Sequence, residues 1–149
     1  NLVRQTLEDT RAILNIAKMS NPDEIVFIVA PQWKWKSIKT AGELADERGQ
    51  VRLNDLIKIV MPDITADNKK SGAEFLKKWV LKDIPSLGPN WQNKYKQYVD
   101  EEAILNSSKE FFEKFFGCKI SVVNEDVARS KFAKKASQSS PLRPAIYIS

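Results

Sequence analysis

At 149 residues, with 24 Lys and Arg against 19 Asp and Glu, the chain is the size of one domain, or of a domain plus a piece of a neighbour, and carries a net charge of +5. The lone Cys118 excludes an internal disulfide framework and fits a reducing compartment, while the lack of His excludes His-based triads and Cys/His zinc sites. No apolar run approaches the roughly 20 residues that cross a bilayer and no secretory signal is visible, so a cytoplasmic protein with no membrane contact is expected.

Residues 1–19 predict a helix: Val3, Leu7, Thr10, Leu14 and Ala17 keep three-to-four spacing, and Leu2, Ile13 and Ile16 widen the stripe. The chain opens at Asn1 inside this helical pattern, as though cut from something longer, and the stripe is expected to pack on helices outside the chain. Ser20-Asn21-Pro22 ends it, because proline cannot continue a helix and disfavours helical geometry in the residue before it. Residues 25–30 (IVFIVA) form an unbroken apolar run between Pro22 and Pro31, the mark of a strand buried on both faces. Trp33, Lys34, Trp35 and Lys36 follow, where such a strand leaves the edge of its sheet; indole and ammonium alternate, with the core on one side and an anion on the other. The alternative is a plain core strand running into an amphipathic helix.

Residues 33–47 and 51–61 then read as two helices broken at Gly49, the second with Leu53, Leu56, Ile57 and Val60 on its apolar face. Residues 62–67 read as a loop. Residues 71–82 are a further helix with Ala73, Leu76, Trp79 and Val80 inward and Lys70, Lys77, Lys78 and Lys82 outward, and 83–89, with two prolines and Gly88, reads as a connection. Residues 91–99 interleave aromatics with lysines, which suits either nucleobase stacking or a short helix with Trp91 and the tyrosines inward. Asp100 caps a helix predicted to reach Phe116, with Gly117 in the position that follows a helix end. Residues 119–123 are a second strand, 124–140 a short helix or mobile excursion, and 145–148 a third strand. The sum is an α/β (α+β) fold: a small three-stranded sheet covered by helices, its strand order not readable, preceded by a terminal helix.

Charge is uneven. Residues 68–99 hold Lys69, Lys70, Lys77, Lys78, Lys82, Lys94 and Lys96 against Glu74 and Asp83. Residues 129–143 hold Arg129, Lys131, Lys134, Lys135 and Arg143 with no acid. Each segment is +5, leaving −5 for the remainder, a pattern that suggests a polyanion footprint and nucleic acid ahead of a membrane surface. The plain alternative for each is a solvated helix face or a loop.

Three stretches occur together and in order: IAKMSNPDEIVFIVAPQWKWK (residues 16–36), the Val99-Asp100-Glu101-Glu102 helix start leading to FFGCKISVV (115–123), and PLRPAIYI (141–148). Together they resemble the C-terminal end of leucyl-tRNA synthetases of the archaeal and eukaryotic-cytosolic type. The resemblance is firm at both ends and loose between Leu44 and Tyr98. It implies that residues 1–20 are the last helix of an anticodon-binding bundle and 21–149 a tRNA-recognition domain. The parent enzyme would join leucine to tRNA through a leucyl-adenylate, with ATP and Mg in an upstream catalytic domain. No residue here would be catalytic, and no cofactor or metal would be held by this chain. Lys18-Met19-Ser20 shares letters with the KMSKS loop of that enzyme class but lacks its second Lys, and is read as a coincidence.

The implied partners are leucine tRNA, through its body and long variable arm, and the upstream domains of the same synthetase, with the protein a monomer. Family members bring their last residues near the tip of the arm, which marks Ile148 and Ser149; many end in an acidic residue where this chain has Ser149, leaving backbone and carboxylate as contacts there. Lys34, Lys36, Arg129, Lys131, Lys134, Lys135 and Arg143 would neutralise phosphates, with Trp33 and Trp35 as core and hinge residues. A second reading is a protein-interaction module that tethers a synthetase to a larger assembly, through an exposed apolar patch around Trp79 and Trp91. An independent small enzyme finds no support: there is no His, no phosphate-cradling glycine loop and no spaced acid pair.

Overall fold

The computed structural model describes residues 1–149, the side chain of Ala133 excepted. The chain divides into two units: Asn1–Pro31 with Val99–Ser149, the sheet unit, and Gln32–Tyr98, the helical unit. The helical unit is thus an insertion after the first strand, a boundary marked in the sequence only by Pro31.

In the sheet unit, α1 (Leu2–Ile16) starts on the Asn1 side chain, which accepts from the Arg4 N–H at 3.2 Å. β1 (Glu24–Val29) follows, and after the insertion come α6 (Glu101–Ser107), α7 (Lys109–Phe116), β2 (Lys119–Asn124), α8 (Glu125–Ala136) and β3 (Ala145–Ile148). The sheet order is β2-β1-β3, with β2 parallel and β3 antiparallel to β1. The central place of β1 explains its apolar run: side chains alternate between two covered faces, so neither can be polar. Ile25, Phe27 and Val29 join Ile120, Ile146, Leu105 and Phe112 beneath α6 and α7, where Leu2, Val3, Leu7 and Ile13 of α1 also pack. Part of the α1 stripe is therefore satisfied within the unit, although Ile16 stays 84% exposed. Val26 and Ile28 turn the other way, to Ala128 and Ala136 of α8 and Ala145 of β3.

Asp100 caps α6 through its carboxylate and the Ala103 N–H at 3.2 Å, and Gly117 ends α7 in the left-handed conformation (φ 67°, ψ 31°). The single helix expected between them is broken at Ser108 (φ −102°, ψ 7°). Leu105 before the break and Phe112 after it both pack on the sheet.

The helical unit holds α2 (Gln32–Leu44), α3 (Leu53–Val60), α4 (Lys69–Lys78), a π-helical turn (Trp79–Asp83), α5 (Ile84–Leu87) and a 3₁₀ turn (Trp91–Tyr95). Its core gathers Ile38, Ala41, Leu56, Leu76, Trp79, Ile84 and Trp91. The connection expected at 83–89 is helical up to Leu87. Pro85 sits in the first turn of α5, where its missing N–H costs least, and the wider π turn ahead of it relieves the clash that a proline ring makes with the carbonyl four residues back.

Candidate nucleic-acid interface

α8 begins on Asn124, whose side-chain oxygen accepts from the Asp126 N–H at 2.9 Å. The buried Glu125 carboxylate accepts from the Ser139 hydroxyl at 3.1 Å, tying the start of the helix to the segment after its end. Phe132 departs from helical geometry (φ −129°, ψ 39°) and packs on Tyr147 of β3, ring centroids 4.4 Å apart. Of the two readings of 124–140, a short helix or a mobile excursion, the structure has the helix, kinked and seated on the sheet. It leads into a tight turn in which the Ser140 and Arg143 backbones exchange hydrogen bonds of 3.1 and 2.8 Å. Pro141 followed by Leu142 at φ 63° fits a type II turn. Leu142 takes a place that usually demands glycine, which the residue pattern alone conceals.

On this frame Lys131 and Lys134 are exposed, Lys135 is half-buried and Arg143 is exposed. Lys131 Nζ lies 5.4 Å from the Phe132 ring centroid. Arg143 makes only a loose 4.0 Å contact with Asp9. Arg129 differs: its guanidinium meets Asp126 at 2.9 Å and Glu125 at 3.8 Å, so acids just upstream of the basic segment already neutralise it. Among the described residues the acid-free segment thus offers four cations, Lys131, Lys134, Lys135 and Arg143.

The expectation for Lys34 is corrected. Its side chain is 1% exposed, with Nζ 5.0 Å from the Phe75 ring and 5.5 Å from the Trp33 ring, and it reaches no phosphate. The physical reason is the helix itself: residues 33–36 lie in the first turns of α2, as the helix expected over 33–47 implies. Neighbours on a helix are about 100° apart, so Lys34 and Trp35 can face inward together. Lys36 is exposed, but it and Lys34 belong to the helical unit, while the other expected cations belong to the sheet unit. Ile148 is half-buried against the apolar face of the sheet. Ser149 keeps an exposed side chain, but its N–H donates to the Glu24 carbonyl at 3.0 Å and its own carbonyl accepts from Asp23 N–H at 2.8 Å. Those backbone groups are committed to the sheet.

Trp79 and Trp91 are both buried, so the apolar patch expected around them is core. Three exposed apolar side chains, Ile104, Phe111 and Phe115, lie together on α6 and α7, and others such as Ile16 and Val127 stand apart.

Cys118 stands between α7 and β2. Partial burial, and then the carboxylates of Glu113, Asp23 and Glu24, hold its thiol above the ordinary range. Both causes disfavour the thiolate, so iodoacetamide should alkylate Cys118 in the folded protein with a pH midpoint above that of the same thiol in urea. A folded midpoint at or below the unfolded one would contradict this placement. Because the folded-state value is raised, the corresponding stability is complete below the unfolded thiol value and is lost as pH rises through the folded one.

Among the described residues no group of three or more His, Cys, Asp or Glu is placed to hold a metal ion, and no helix is long and apolar enough to cross a membrane. No family model matches the chain. Curated relatives match nearly all of it. The chain is 34% identical over 150 residues to the leucine–tRNA ligase of Methanosarcina acetivorans, covering 98% of this chain. The chain is a homologue of archaeal leucine–tRNA ligases. The Methanosarcina barkeri leucine–tRNA ligase is likewise 34% identical across 99% of the chain, and that of Pyrococcus abyssi 28% across 99%. The chain spans only 13–15% of the length of these ligases.

Proposed function

We propose that this chain is a tRNA-binding domain of a leucine–tRNA ligase, contacting the tRNA body and long variable arm while the rest of the protein carries out ATP-dependent leucylation in the cytoplasm. The carrying observation is the group of Lys131, Lys134, Lys135 and Arg143 on α8 and the turn before β3, in a chain similar from end to end to leucine–tRNA ligases. Long cationic side chains on a helix packed against the sheet suit phosphate contacts, which position an RNA without reading its bases. ATP and Mg would act in upstream domains. The exposed Ile16 and Met19 fit a helix whose residues 1–20 complete an upstream bundle.

Fluorescence anisotropy with labelled leucine tRNA tests the reading. Lys131→Glu/Lys134→Glu/Lys135→Glu should weaken binding by about tenfold or more at low salt and flatten the log–log salt slope by about 2. Arg129→Gln should do far less, because its guanidinium is already paired. Unchanged affinity in the triple variant would remove the reading's main support. The exposed Ile104, Phe111 and Phe115 favour a second reading, a protein-docking module, whose binding would tolerate salt.

A further inference from the structure

The net charge of the chain lies entirely in the helical unit. Gln32–Tyr98 holds 13 Lys and Arg against 8 Asp and Glu, whereas the sheet unit holds 11 of each. Within the helical unit a large part of the excess falls on α4 and the π turn. Gly72, Phe75, Leu76 and Trp79 of α4 and the π turn are buried, while Lys70, Lys77, Lys78 and Lys82 are exposed. Lys70 and Lys77 lie two helical turns apart, about 10 Å along the axis, and Lys78 and Lys82 sit beside them. The π turn carries this surface past the end of α4, so Lys82 continues the row. Glu74 is the one exposed acid of α4 and the π turn, Asp83 at the end of that turn being half-buried, and none of the four lysines has an ion-pair partner within 4.0 Å among the described residues.

We infer that the outer face of α4 and the following π turn is a second RNA-backbone contact surface, in which Lys70, Lys77, Lys78 and Lys82 bind phosphates without regard to sequence. The inference rests on the tRNA-binding reading above and adds to it a site in the other unit. The occupant follows from the chemistry of the face. It has four like charges with no carboxylate partners, and long stems that demand no fixed ligand geometry. Only Leu81 stands exposed among them, which is too little apolar surface for insertion into lipid. A regularly charged backbone is the ligand that such a row matches.

The test is a salt series of anisotropy measurements on the whole chain, with fluorescein-labelled leucine tRNA and the same tRNA with its variable arm shortened. Lys70→Gln/Lys77→Gln/Lys78→Gln/Lys82→Gln should weaken binding to both RNAs alike by about tenfold at low salt and lower the slope of log K against log salt by about 3. Glu74→Lys should tighten both severalfold. All five substituted positions are exposed, and the tryptophan emission of the helical unit checks that its fold is kept. Arm-dependent binding that none of these substitutions alters would overturn this inference and leave the tRNA-binding reading standing. Absence of tRNA binding by the unsubstituted chain would overturn both. Binding to phosphatidylserine vesicles that the quadruple variant loses, with RNA affinity unchanged, would overturn it in favour of a membrane surface.

Discussion

Replacing Phe112 with alanine should destabilise the sheet unit by about 3–5 kcal/mol. The ring is 0% exposed and meets Phe27 of the central strand edge-to-face, centroids 4.9 Å apart, with Phe116 stacked at 6.5 Å on its other side. Truncation removes the transfer free energy of a whole aromatic side chain. It also leaves a cavity that Leu105 and Ile120, held by α6 and β2, cannot close. Native-state amide exchange of β1 reads the effect directly: protection of Ile25–Ile28 should fall by about two to four orders of magnitude. Phe111→Ala is the internal control, because its ring is 48% exposed; it should cost less than about 1 kcal/mol. Equal costs for the two would mean that α7 does not present the face described here.

The second large effect lies in the helical unit. Trp91 is 1% exposed, and its indole N–H donates to the Gly49 carbonyl at 2.7 Å. It packs on Trp79 at 5.8 Å and Tyr95 at 6.3 Å. Trp91→Ala should cost about 3–5 kcal/mol, and Trp91→Phe less but still about 1–3 kcal/mol, because it strands the Gly49 carbonyl. Gly49 itself is fixed by the same turn. Its φ is 76°, and a Cβ there would stand 2.5 Å from the Pro89 carbonyl oxygen. All four tryptophans belong to the helical unit, so the emission of Trp33, Trp35 and Trp79 follows its unfolding in the variant. A transition midpoint unchanged in Trp91→Ala would contradict the core described for this unit.

Much of the fold could be read before any coordinates. β1 announced itself because a strand covered on both faces has no room for polar residues. Asp100 and Gly117 marked helix ends because capping and left-handed geometry select those residue types. Other features needed the tertiary structure. The helix over 33–47 was legible, but the alternation of Trp33, Lys34, Trp35 and Lys36 did not show that Lys34 turns inward, where its Nζ lies 5.0 Å from the Phe75 ring. The insertion at 32–98 carries no glycine- or serine-rich linker, so its boundaries came from packing alone. The basic segment at 129–143 looked wholly free because it contains no acid, whereas Glu125 and Asp126 reach Arg129 from just outside it. The partition of charge between the units was likewise hidden until the units were drawn.

The proposed function has this domain contact the long variable arm of leucine tRNA. Its most direct test is the anisotropy of the unsubstituted chain with intact leucine tRNA, against the same tRNA with its variable arm shortened, at matched salt. Clear loss of affinity on shortening is the expected result. Equal affinity for the two RNAs would reduce the interaction to general attraction between cations and phosphates and contradict the claim.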